Sequence, residues 1–473
     1  MNSSHRLVKN TLSQIVAHVA ANVVFFGFYV LFSRQFGREG IGIYAFSLAL
    51  TTILFIGADY GLTTYLVPEV SRKRERLPRY LGNAVLVKVG LSVLGTGLMI
   101  ALAPLFHLSA QGYQALWLIG ASQVLYRLGD LFKTAFAAHE SLSRIAFTDV
   151  LSKASVVLVG LPLLLLGLPM TAVLWAFPVS AVVYAAVTVV LTIRRYGWPD
   201  FTIDTALLRR YATESLPFFL TTLQAHAYLR VGMVFLNYFH GPSVTGIFAA
   251  AQKMAELILI FAGFYRFALV PVLSRLYREA PGQHRILYAN SLRYVLLSIV
   301  PIAALLALTA EDLVRLLFGA EFAPSAGVLR VVSLYLVFAT IRNIIMAVLS
   351  SMNQQWQWVH SHLTAFALHV ALSLALIPRY GAMGAAWALL CSEAVAVALA
   401  ARVASHQLGP VPVAPLLWKP AAAALAMGAA VSLLPSLPVM ATLPLAGAVG
   451  LASLFAIGGL RKQDLRFLQD ALR

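Results

Sequence analysis

Charged residues and cysteine are both scarce in this chain of 473 residues, and each shortage excludes a class of protein. Asp, Glu, Lys and Arg together make up only 11% of the sequence. The single cysteine, Cys391, lies in an apolar run, so a disulfide framework and a cysteine-based metal site are excluded. No G-x-x-x-x-G-K-[ST] phosphate loop occurs, which excludes ATP hydrolysis by that route. No nucleophile lies in a pattern with a base, and we predict neither catalytic residues nor a metal site.

Long apolar runs fill the rest of the sequence, of which 60% is hydrophobic. About fourteen such runs, each of roughly twenty residues, match the ~30 Å hydrocarbon core of a bilayer at 1.5 Å per helical residue. The runs are continuous rather than alternating, which excludes a membrane β-barrel. We therefore predict an all-α polytopic membrane protein with about 14 transmembrane helices, and no extramembrane stretch is long enough for a soluble catalytic domain.

Basic residues outnumber acidic ones, 35 to 18, and the net charge is +17. In a soluble protein this excess would indicate nucleic-acid binding, but here alternate loops carry it, as the positive-inside rule describes. With a cytoplasmic N-terminus, the inside segments hold Arg6 and Lys9, then Ser71 to Arg79, then Arg194, Arg195, Arg209 and Arg210, then Arg275, Arg278 and Arg285, then Arg461, Lys462, Arg466 and Arg473. The outside loops hold little beyond Arg34, Arg38, Arg315 and Arg379. We predict that both termini are cytoplasmic and that no nucleic acid binds.

Proline, glycine and charged residues divide the apolar runs into predicted helices. The spans are 11–33, 41–66, 81–108, 113–138, 145–167, 169–193, 215–239, 243–271, 287–309, 326–350, 357–378, 381–403, 413–434 and 438–460. The corresponding domains are an N-terminal six-helix bundle (1–193), a cytoplasmic connector (194–214), a C-terminal six-helix bundle (215–405), and an extra helix pair with a cytoplasmic tail (406–473).

The two halves of the chain repeat each other. The segment "GREGIGIYA" (Gly37 to Ala45) corresponds to "GPSVTGIFA" (Gly241 to Ala249), and "VPEVSR" (Val67 to Arg72) corresponds to "VPVLSR" (Val270 to Arg275). Helices 2 and 8 are therefore predicted to be equivalent. Six helices per half is an even number, so both halves have the same orientation and their pseudo-axis runs along the membrane normal. This pattern predicts two pseudo-symmetric bundles that face a central cavity and work by alternating access, although a duplication could also be purely structural.

Motifs in the second predicted helix resemble those of a known transporter family. They are Gly42 and Tyr44, then Asp59, Gly61 and Leu62, then Val70, Ser71 and Arg72; the stretch "LLFGAEFAPSAGVLR" (Leu316 to Arg330) adds a loop motif. Together they resemble the Wzx-like polysaccharide-lipid flippases of the multidrug/oligosaccharidyl-lipid/polysaccharide (MOP) exporter superfamily, over essentially the whole chain. One position departs from the family. Many relatives have an Asp near the end of helix 7 where this chain has Gly232, so no role of that Asp transfers.

The resemblance implies a flippase of the bacterial inner membrane with a MATE-like fold. Its substrate would be an undecaprenyl-pyrophosphate-linked oligosaccharide used for O-antigen, capsule or exopolysaccharide. Membrane lipids and polysaccharide polymerase or assembly proteins would be its partners. The resemblance implies no cofactor, and energy would come from an H⁺ or Na⁺ gradient or from the substrate gradient. Three alternatives stay open: a MATE-type exporter of drugs or cations, a membrane-embedded glycan polymerase or ligase, and a structural assembly partner.

Ionisable residues inside the apolar helices cost ~2.5–3.5 kcal/mol each at the bilayer centre on insertion scales, so each needs an explanation. They are Asp59, Lys88, Arg127, Asp130, Lys133, Arg230, Lys253, Glu256, Arg266, Arg342 and Glu393. Most are cationic, and a guanidinium grips phosphate oxygens with two donors. We predict that Arg127, Arg230, Arg266 and Arg342 bind the anionic head group; the last three have no acidic neighbour three or four residues away. Arg127 and Asp130, Asp130 and Lys133, and Lys253 and Glu256 are spaced to neutralise each other locally.

The carboxylates Asp59 and Glu256 are the candidates for ion coupling. For Asp59 the alternative is a contact that holds helix 2 to a neighbouring helix. Lys88 lies near the start of its helix, and we expect its ammonium group to snorkel to the head groups.

Overall fold

The computed structural model describes residues 3–433 and 438–459, and within that part of the chain every regular element is a helix. The basic tail predicted to be cytoplasmic, Arg461 to Arg473, lies outside the described residues. The chain divides into two compact units, Met1–Ala249 and Ala250–Arg473. The boundaries predicted from loop composition, at 193 and 215, stay a prediction.

Fifteen α-helices and three short 3₁₀ turns make up the described chain. The helices are α1 (Ser3–Asp59), α2 (Leu62–Arg72), α3 (Leu77–Leu102), α4 (Ala110–Ala138), α5 (Leu142–Leu165), α6 (Met170–Leu174), α7 (Ala176–Tyr196), α8 (Thr205–Glu214), α9 (Leu216–Glu279), α10 (Pro281–Leu308), α11 (Ala310–Phe318), α12 (Ser325–Ser351), α13 (Gln355–Leu408), α14 (Ala414–Leu433) and α15 (Val439–Ala456). The 3₁₀ turns are Arg74–Arg76, Ala103–Phe106 and Ala320–Phe322.

Ten continuous helical stretches in the described residues are long and apolar enough to cross a membrane. Three of them are pairs of helices joined at a sharp bend, at Gly37, Gly241 and Gly381, where φ is 64°, 76° and 53°. An L-amino acid with a side chain rarely adopts such φ values, which explains glycine at each bend. The helix α4, 29 residues long, also has spanning length but carries several charges. Each of the fourteen predicted spans thus corresponds to a helix, and the predicted fold class is confirmed.

The repeat recognised in the sequence has a counterpart in backbone conformation. Gly37 and Gly241 begin the two matching segments, and their ψ angles are −171° and −176°, with φ positive in both. Two residues that share this rare conformation at equivalent positions support the equivalence of the second and eighth predicted spans, 41–66 and 243–271.

The second predicted helix is broken, which the sequence analysis did not anticipate. The structure ends α1 at Asp59, places Tyr60 and Gly61 at φ 45° and 71°, and restarts as α2. A Cβ at Gly61 would lie 2.4 Å from the backbone nitrogen of Phe219, so the close approach of α9 requires glycine there. The predicted end at residue 66 was also wrong, since α2 continues to Arg72.

The connector between the two predicted bundles contains a helix, α8, that packs on the first unit. Leu207 and Tyr211 of α8 are buried in a cluster with Leu66 of α2, Leu81 of α3 and Leu131 of α4. The hydroxyl of Tyr211 donates a hydrogen bond of 2.9 Å to the carbonyl of Tyr80. The connector is thus part of the folded N-terminal unit rather than a free loop.

Candidate functional site

A buried ion pair lies at the break between α1 and α2. The Lys88 side chain on α3 is 2% exposed, and its Nζ lies 2.6 Å from Oδ1 of Asp59. The same ammonium group donates to Oγ1 of Thr63 (3.0 Å) and to the carbonyl of Arg127 (2.7 Å). The expectation that Lys88 snorkels was therefore wrong, because a carboxylate and two further acceptors satisfy its three donors inside the protein.

One of the two roles predicted for Asp59 was a contact that holds neighbouring helices together, and the structure shows that contact. Its carboxylate joins the end of α1 to α3 through Lys88 and accepts a further hydrogen bond from Thr63, one turn later. Removal of one partner from a buried pair of this kind destabilises the folded protein by about 3–5 kcal/mol. The role of Asp59 in ion coupling stays a prediction.

A polar cavity of about 370 Å³ lies within the N-terminal unit. Its walls come from α1, α4, α5 and α7, and its lining residues are His18, Gln123, Tyr126, Arg127, Asp130, Lys133, Asp149, Ser152, Lys153 and Tyr184. Arg127, Asp130 and Lys133 recur every three residues along α4, which brings them to one face of the helix. We call this space the N-terminal cavity.

Lys133 forms an ion pair with each of the two carboxylates of the N-terminal cavity. Its Nζ lies 3.3 Å from Oδ1 of Asp130 and 2.9 Å from Oδ1 of Asp149. The hydroxyl of Tyr184 donates a further hydrogen bond of 2.7 Å to Asp130. These contacts satisfy the acidic groups from inside the protein.

Arg127 is less completely satisfied. Its Nη1 lies 4.0 Å from Oδ2 of Asp130, at the limit of an ion pair. Its buried Nε has no hydrogen-bond partner within the described part of the chain. With Lys133 and Lys153, it gives the cavity three cationic side chains against two carboxylates. Such a cavity favours an anionic ligand with acceptor oxygens.

Two charged residues of this cavity, Asp149 and Lys153, were not predicted from the sequence. Lys153 donates a hydrogen bond of 2.6 Å to Oδ1 of Asn22 on α1. Both residues lie near the start of a predicted helix, where charged residues are common. Their spacing of four residues along α5 was the available signal, because it places them on one helix face.

The second unit contains its own buried ion pair, between Arg342 on α12 and Glu393 on α13. The Glu393 side chain is fully buried, and Nε of Arg342 donates to its Oε1. Arg342 therefore has a partner far away in sequence, although it has none within a helical turn. Arg266 on α9 donates to Sδ of Met346, also on α12, over 2.7 Å.

Of the four predicted arginines, Arg127 and Arg230 belong to the first unit, and Arg266 and Arg342 belong to the second. Arg127 and Arg230 both lie close enough to His226 to act on it electrostatically. Arg266 lies similarly close to Arg342. The coupling candidate Glu256 pairs with Lys253 over 3.0 Å, at the spacing that the sequence predicted. Binding of a head group by these arginines stays a prediction.

Both the sequence and the fold of this chain are similar to those of known proteins. Residues 7–277 match the family described as "Polysaccharide biosynthesis protein". The chain belongs to the polysaccharide biosynthesis protein family. Within the curated relatives, it is 21% identical over 406 residues to "Probable low-salt glycan biosynthesis flippase Agl15" of Haloferax volcanii, which covers 84% of this chain and 84% of the relative.

Two solved structures show the fold of this family member. The lipid II flippase MurJ in an inward closed conformation aligns over 98% of this chain and 100% of MurJ, with a TM-score of 0.78 and 15% identity. An inward-facing MATE family multidrug transporter of the MOP superfamily aligns over 82% of this chain and 94% of that transporter, with a TM-score of 0.65 and 14% identity. The predicted MOP fold is confirmed. The relatives also confirm the prediction of a transporter rather than an enzyme.

A metal centre is not formed by the described residues: within 3–433 and 438–459 no three His, Cys, Asp or Glu side chains are grouped so that they could hold an ion. The polar groups of the N-terminal cavity are donors and paired carboxylates.

Proposed function

We propose that this protein is a flippase that moves a polyprenyl-pyrophosphate-linked oligosaccharide across the bacterial inner membrane. The carrier we propose is undecaprenyl pyrophosphate, and the glycan belongs to a surface polysaccharide such as O-antigen, capsule or exopolysaccharide. Family membership supports this proposal, as does similarity to a relative named as a glycan biosynthesis flippase. Polysaccharide polymerase and assembly proteins are its proposed partners.

The observation that carries the proposal is the surplus of cations in the N-terminal cavity. A pyrophosphate presents several oxygens in a small volume, and an arginine binds two of them at once through its planar fork. Arg127 lies at this cavity with its Nε unpartnered among the described residues. Lys133 pairs with both carboxylates, and with Arg127 and Lys153 the three cationic side chains leave the cavity with a net positive charge.

The same observation argues against the rival transporter reading. A cation or drug exporter needs carboxylates that are free to attract a positively charged substrate. Asp130 and Asp149 are occupied by Lys133, and Glu393 is occupied by Arg342. The charge balance at these positions therefore favours an anionic substrate.

Ion coupling is part of the proposal, with H⁺ or Na⁺ as the coupling ion. Protonation of Asp59 would remove its attraction for Lys88 at the break between α1 and α2. Loss of that contact frees the broken region to change conformation, which is one way for a gradient to drive alternating access. We propose Asp59 and Glu256 as the carboxylates involved.

Vesicles containing the purified protein and a fluorescent lipid-linked oligosaccharide test this function. A membrane-impermeant reagent that quenches only the outer leaflet measures how fast the label crosses. We expect the protein to accelerate crossing of the pyrophosphate-linked lipid and not of a neutral polyprenol-linked glycan. Arg127→Ala should slow crossing, whereas Arg330→Ala, which removes an exposed arginine outside the cavity, should not. Equal rates for the charged and neutral lipids would contradict the proposal.

A further inference from the structure

The segment 197–204, which precedes α8, is strapped across the start of α3. The backbone N–H of Asp200 donates to the carbonyl of Pro78 over 2.9 Å. Asn83 closes the other end: its Nδ2 donates to the carbonyl of Thr202 (3.0 Å), and its Oδ1 accepts from the N–H of Asp204 (2.9 Å). The approach is so close that a Cβ at Gly82 would lie 1.9 Å from the carbonyl oxygen of Asp200. The segment is therefore held in one place on the N-terminal unit.

Three large apolar side chains project outward from this strapped segment. Trp198 is 75% exposed, Ile203 66% and Phe201 50%, in a stretch whose other residues are Gly, Pro, Thr and two Asp. The segment follows directly on α7, a spanning helix, so it lies at the membrane boundary. Tryptophan collects at this level because its indole ring is amphipathic. These three side chains are placed to enter the boundary between head groups and acyl chains.

A small cavity next to the strapped segment is lined by three arginines. It measures about 170 Å³, and its arginines are Arg76, Arg79 and Arg210, with Asp204 as its one acidic lining residue. Arg79 lies 3.1 Å from Asp204, and Arg210 contacts Glu69 at 3.3 Å and Glu214 at 3.0 Å. These contacts hold the guanidinium groups of Arg79 and Arg210 in position and offset their charge, so the cation with which this cavity attracts an anion is Arg76. Arg76 forms no ion pair with a carboxylate in the described part of the chain. We call this cavity the arginine cradle.

We propose that the arginine cradle binds the phosphate of an anionic phospholipid whose tails lie beside Trp198, Phe201 and Ile203. Its volume is below the ~300 Å³ at which pockets for whole drug-sized ligands begin, so it suits one phosphodiester group rather than a glycan. Guanidinium groups and phosphate form short, charge-assisted hydrogen bonds. The apolar side chains provide a contact for acyl chains, which a lipid has and a soluble phosphate compound lacks. This site is distinct from the N-terminal cavity and does not depend on the transported substrate.

The alternative is that these arginines act only as basic loop residues that set topology. In that case the position of each arginine does not matter, and removal of any one of them should have the same effect. The chain offers a matched pair to separate the two ideas. Arg74 and Arg76 lie in the same 3₁₀ turn and are both exposed, but only Arg76 lines the cradle. Arg74→Gln and Arg76→Gln therefore remove the same charge from the same turn.

The test is titration of the full-length protein, purified in detergent, with short-chain phosphatidylglycerol, phosphatidylcholine and glycerol phosphate, followed by native mass spectrometry and by tryptophan fluorescence. Because the chain has seven tryptophans, the part of the fluorescence change that Trp198→Ser removes is assigned to Trp198. We expect the protein to prefer phosphatidylglycerol over phosphatidylcholine and to bind glycerol phosphate much more weakly than the lipid. Arg76→Gln should weaken phosphatidylglycerol binding about tenfold or more, Arg76→Lys less, and Arg74→Gln hardly at all. Trp198→Ser should weaken lipid binding without affecting glycerol phosphate.

Three results would overturn the proposal. Equal loss of binding in Arg74→Gln and Arg76→Gln would show a general effect of surface charge. Absence of a preference for phosphatidylglycerol in the unmodified protein would remove the anionic head group as ligand. Glycerol phosphate binding as tight as that of the lipid would assign the cradle to a soluble phosphate compound instead. An unchanged melting temperature of Arg76→Gln serves as the control for folding.

Discussion

Gly42 and Gly246 hold equivalent positions in the two repeats, and each lies against a backbone carbonyl of the other repeat. A Cβ at Gly42 would lie 1.7 Å from the carbonyl oxygen of Pro242, and a Cβ at Gly246 would lie 1.8 Å from that of Arg38. Each glycine follows five residues after a bend glycine, Gly37 or Gly241. The contact is therefore reciprocal: the helical segment that follows Gly37 and the one that follows Gly241 approach each other at positions where neither has a side chain.

Alanine at this crossing should destabilise the protein. In Gly42→Ala or Gly246→Ala the new methyl group overlaps backbone that cannot rotate away, and overpacking of this kind costs about 1–3 kcal/mol or more. We expect both variants to lower the melting temperature of the purified protein, measured by tryptophan fluorescence. Gly57→Ala is the matched control because a Cβ there meets nothing within 4 Å. Unchanged melting of Gly42→Ala would contradict the close crossing.

A double-mutant cycle tests whether Asp59 has a role beyond its ion pair. Asp59→Asn and Lys88→Met each leave a buried charge without its partner, so each should lower stability by about 3–5 kcal/mol. The double variant should regain much of that loss, because both charges are gone. The measurement is thermal melting, with glycan export followed in a flippase-deficient strain at matched membrane abundance.

Export by the double variant then separates the two roles of Asp59. If Asp59 takes part in coupling, the double variant folds but exports poorly and its export loses its dependence on the pH or sodium gradient. Normal export with unchanged ion dependence in the double variant would reduce Asp59 to a structural residue.

The four predicted head-group arginines should differ in their sensitivity to substitution. For Arg127, Arg230 and Arg266, Lys should retain part of the export activity and Ala less, since one charge–phosphate contact is worth ~1.5–3 kcal/mol, or about ten- to a hundredfold in affinity. Export at matched membrane abundance is the measurement. Normal export by all the Ala variants would return these residues to a packing role.

Arg342 needs a separate comparison because it neutralises the fully buried Glu393. Arg342→Ala alone should reduce membrane abundance, since it leaves that carboxylate unpaired. Arg342→Ala with Glu393→Gln should restore abundance, so that any remaining loss of export reports on substrate binding.

The attachment of α8 should weaken at acidic pH. Hydrogen bonds from Arg210 and from Tyr65 hold the pKa of the Glu214 carboxyl below its usual value of 4.5. A carboxyl with a lowered pKa in the folded state contributes its stabilisation above its unfolded pKa and loses it as the pH falls through the folded value. Amide protection factors of α8 should therefore decline below about pH 4.5. Glu214→Gln should lower protection at pH 7 and remove the pH dependence that this contact causes.

Reporter fusions test the topology predicted from the loop charges. Fusions after Arg76 and at the C-terminus should report the cytoplasm, and one between Glu311 and Gly327 should report the outside. Four basic residues lie together where α2 ends and α3 begins, as the prediction requires: Arg72, Arg74, Arg76 and Arg79. A cytoplasmic signal from the fusion between Glu311 and Gly327 would contradict the pairing of the halves.

Local patterns in the sequence predicted some parts of the structure well. The bend glycines Gly37 and Gly241 were found as the first residues of a repeat, and the pair of Lys253 and Glu256 was found from its spacing. The break at Tyr60 was missed because its glycine neighbour, Gly61, is required by the approach of Phe219, which is distant in sequence.

The sequence by itself determined the class of the protein, the succession of long apolar helices and the repeat. This was possible because the thickness of the bilayer sets the length of each apolar run, and a lipid environment allows few charges outside the loops. Only the tertiary structure decided which buried charges are neutralised and which line a cavity. Lys88 pairs with Asp59 and Arg342 with Glu393 across different helices, and helix packing determines those contacts, which no spacing within one helix can show.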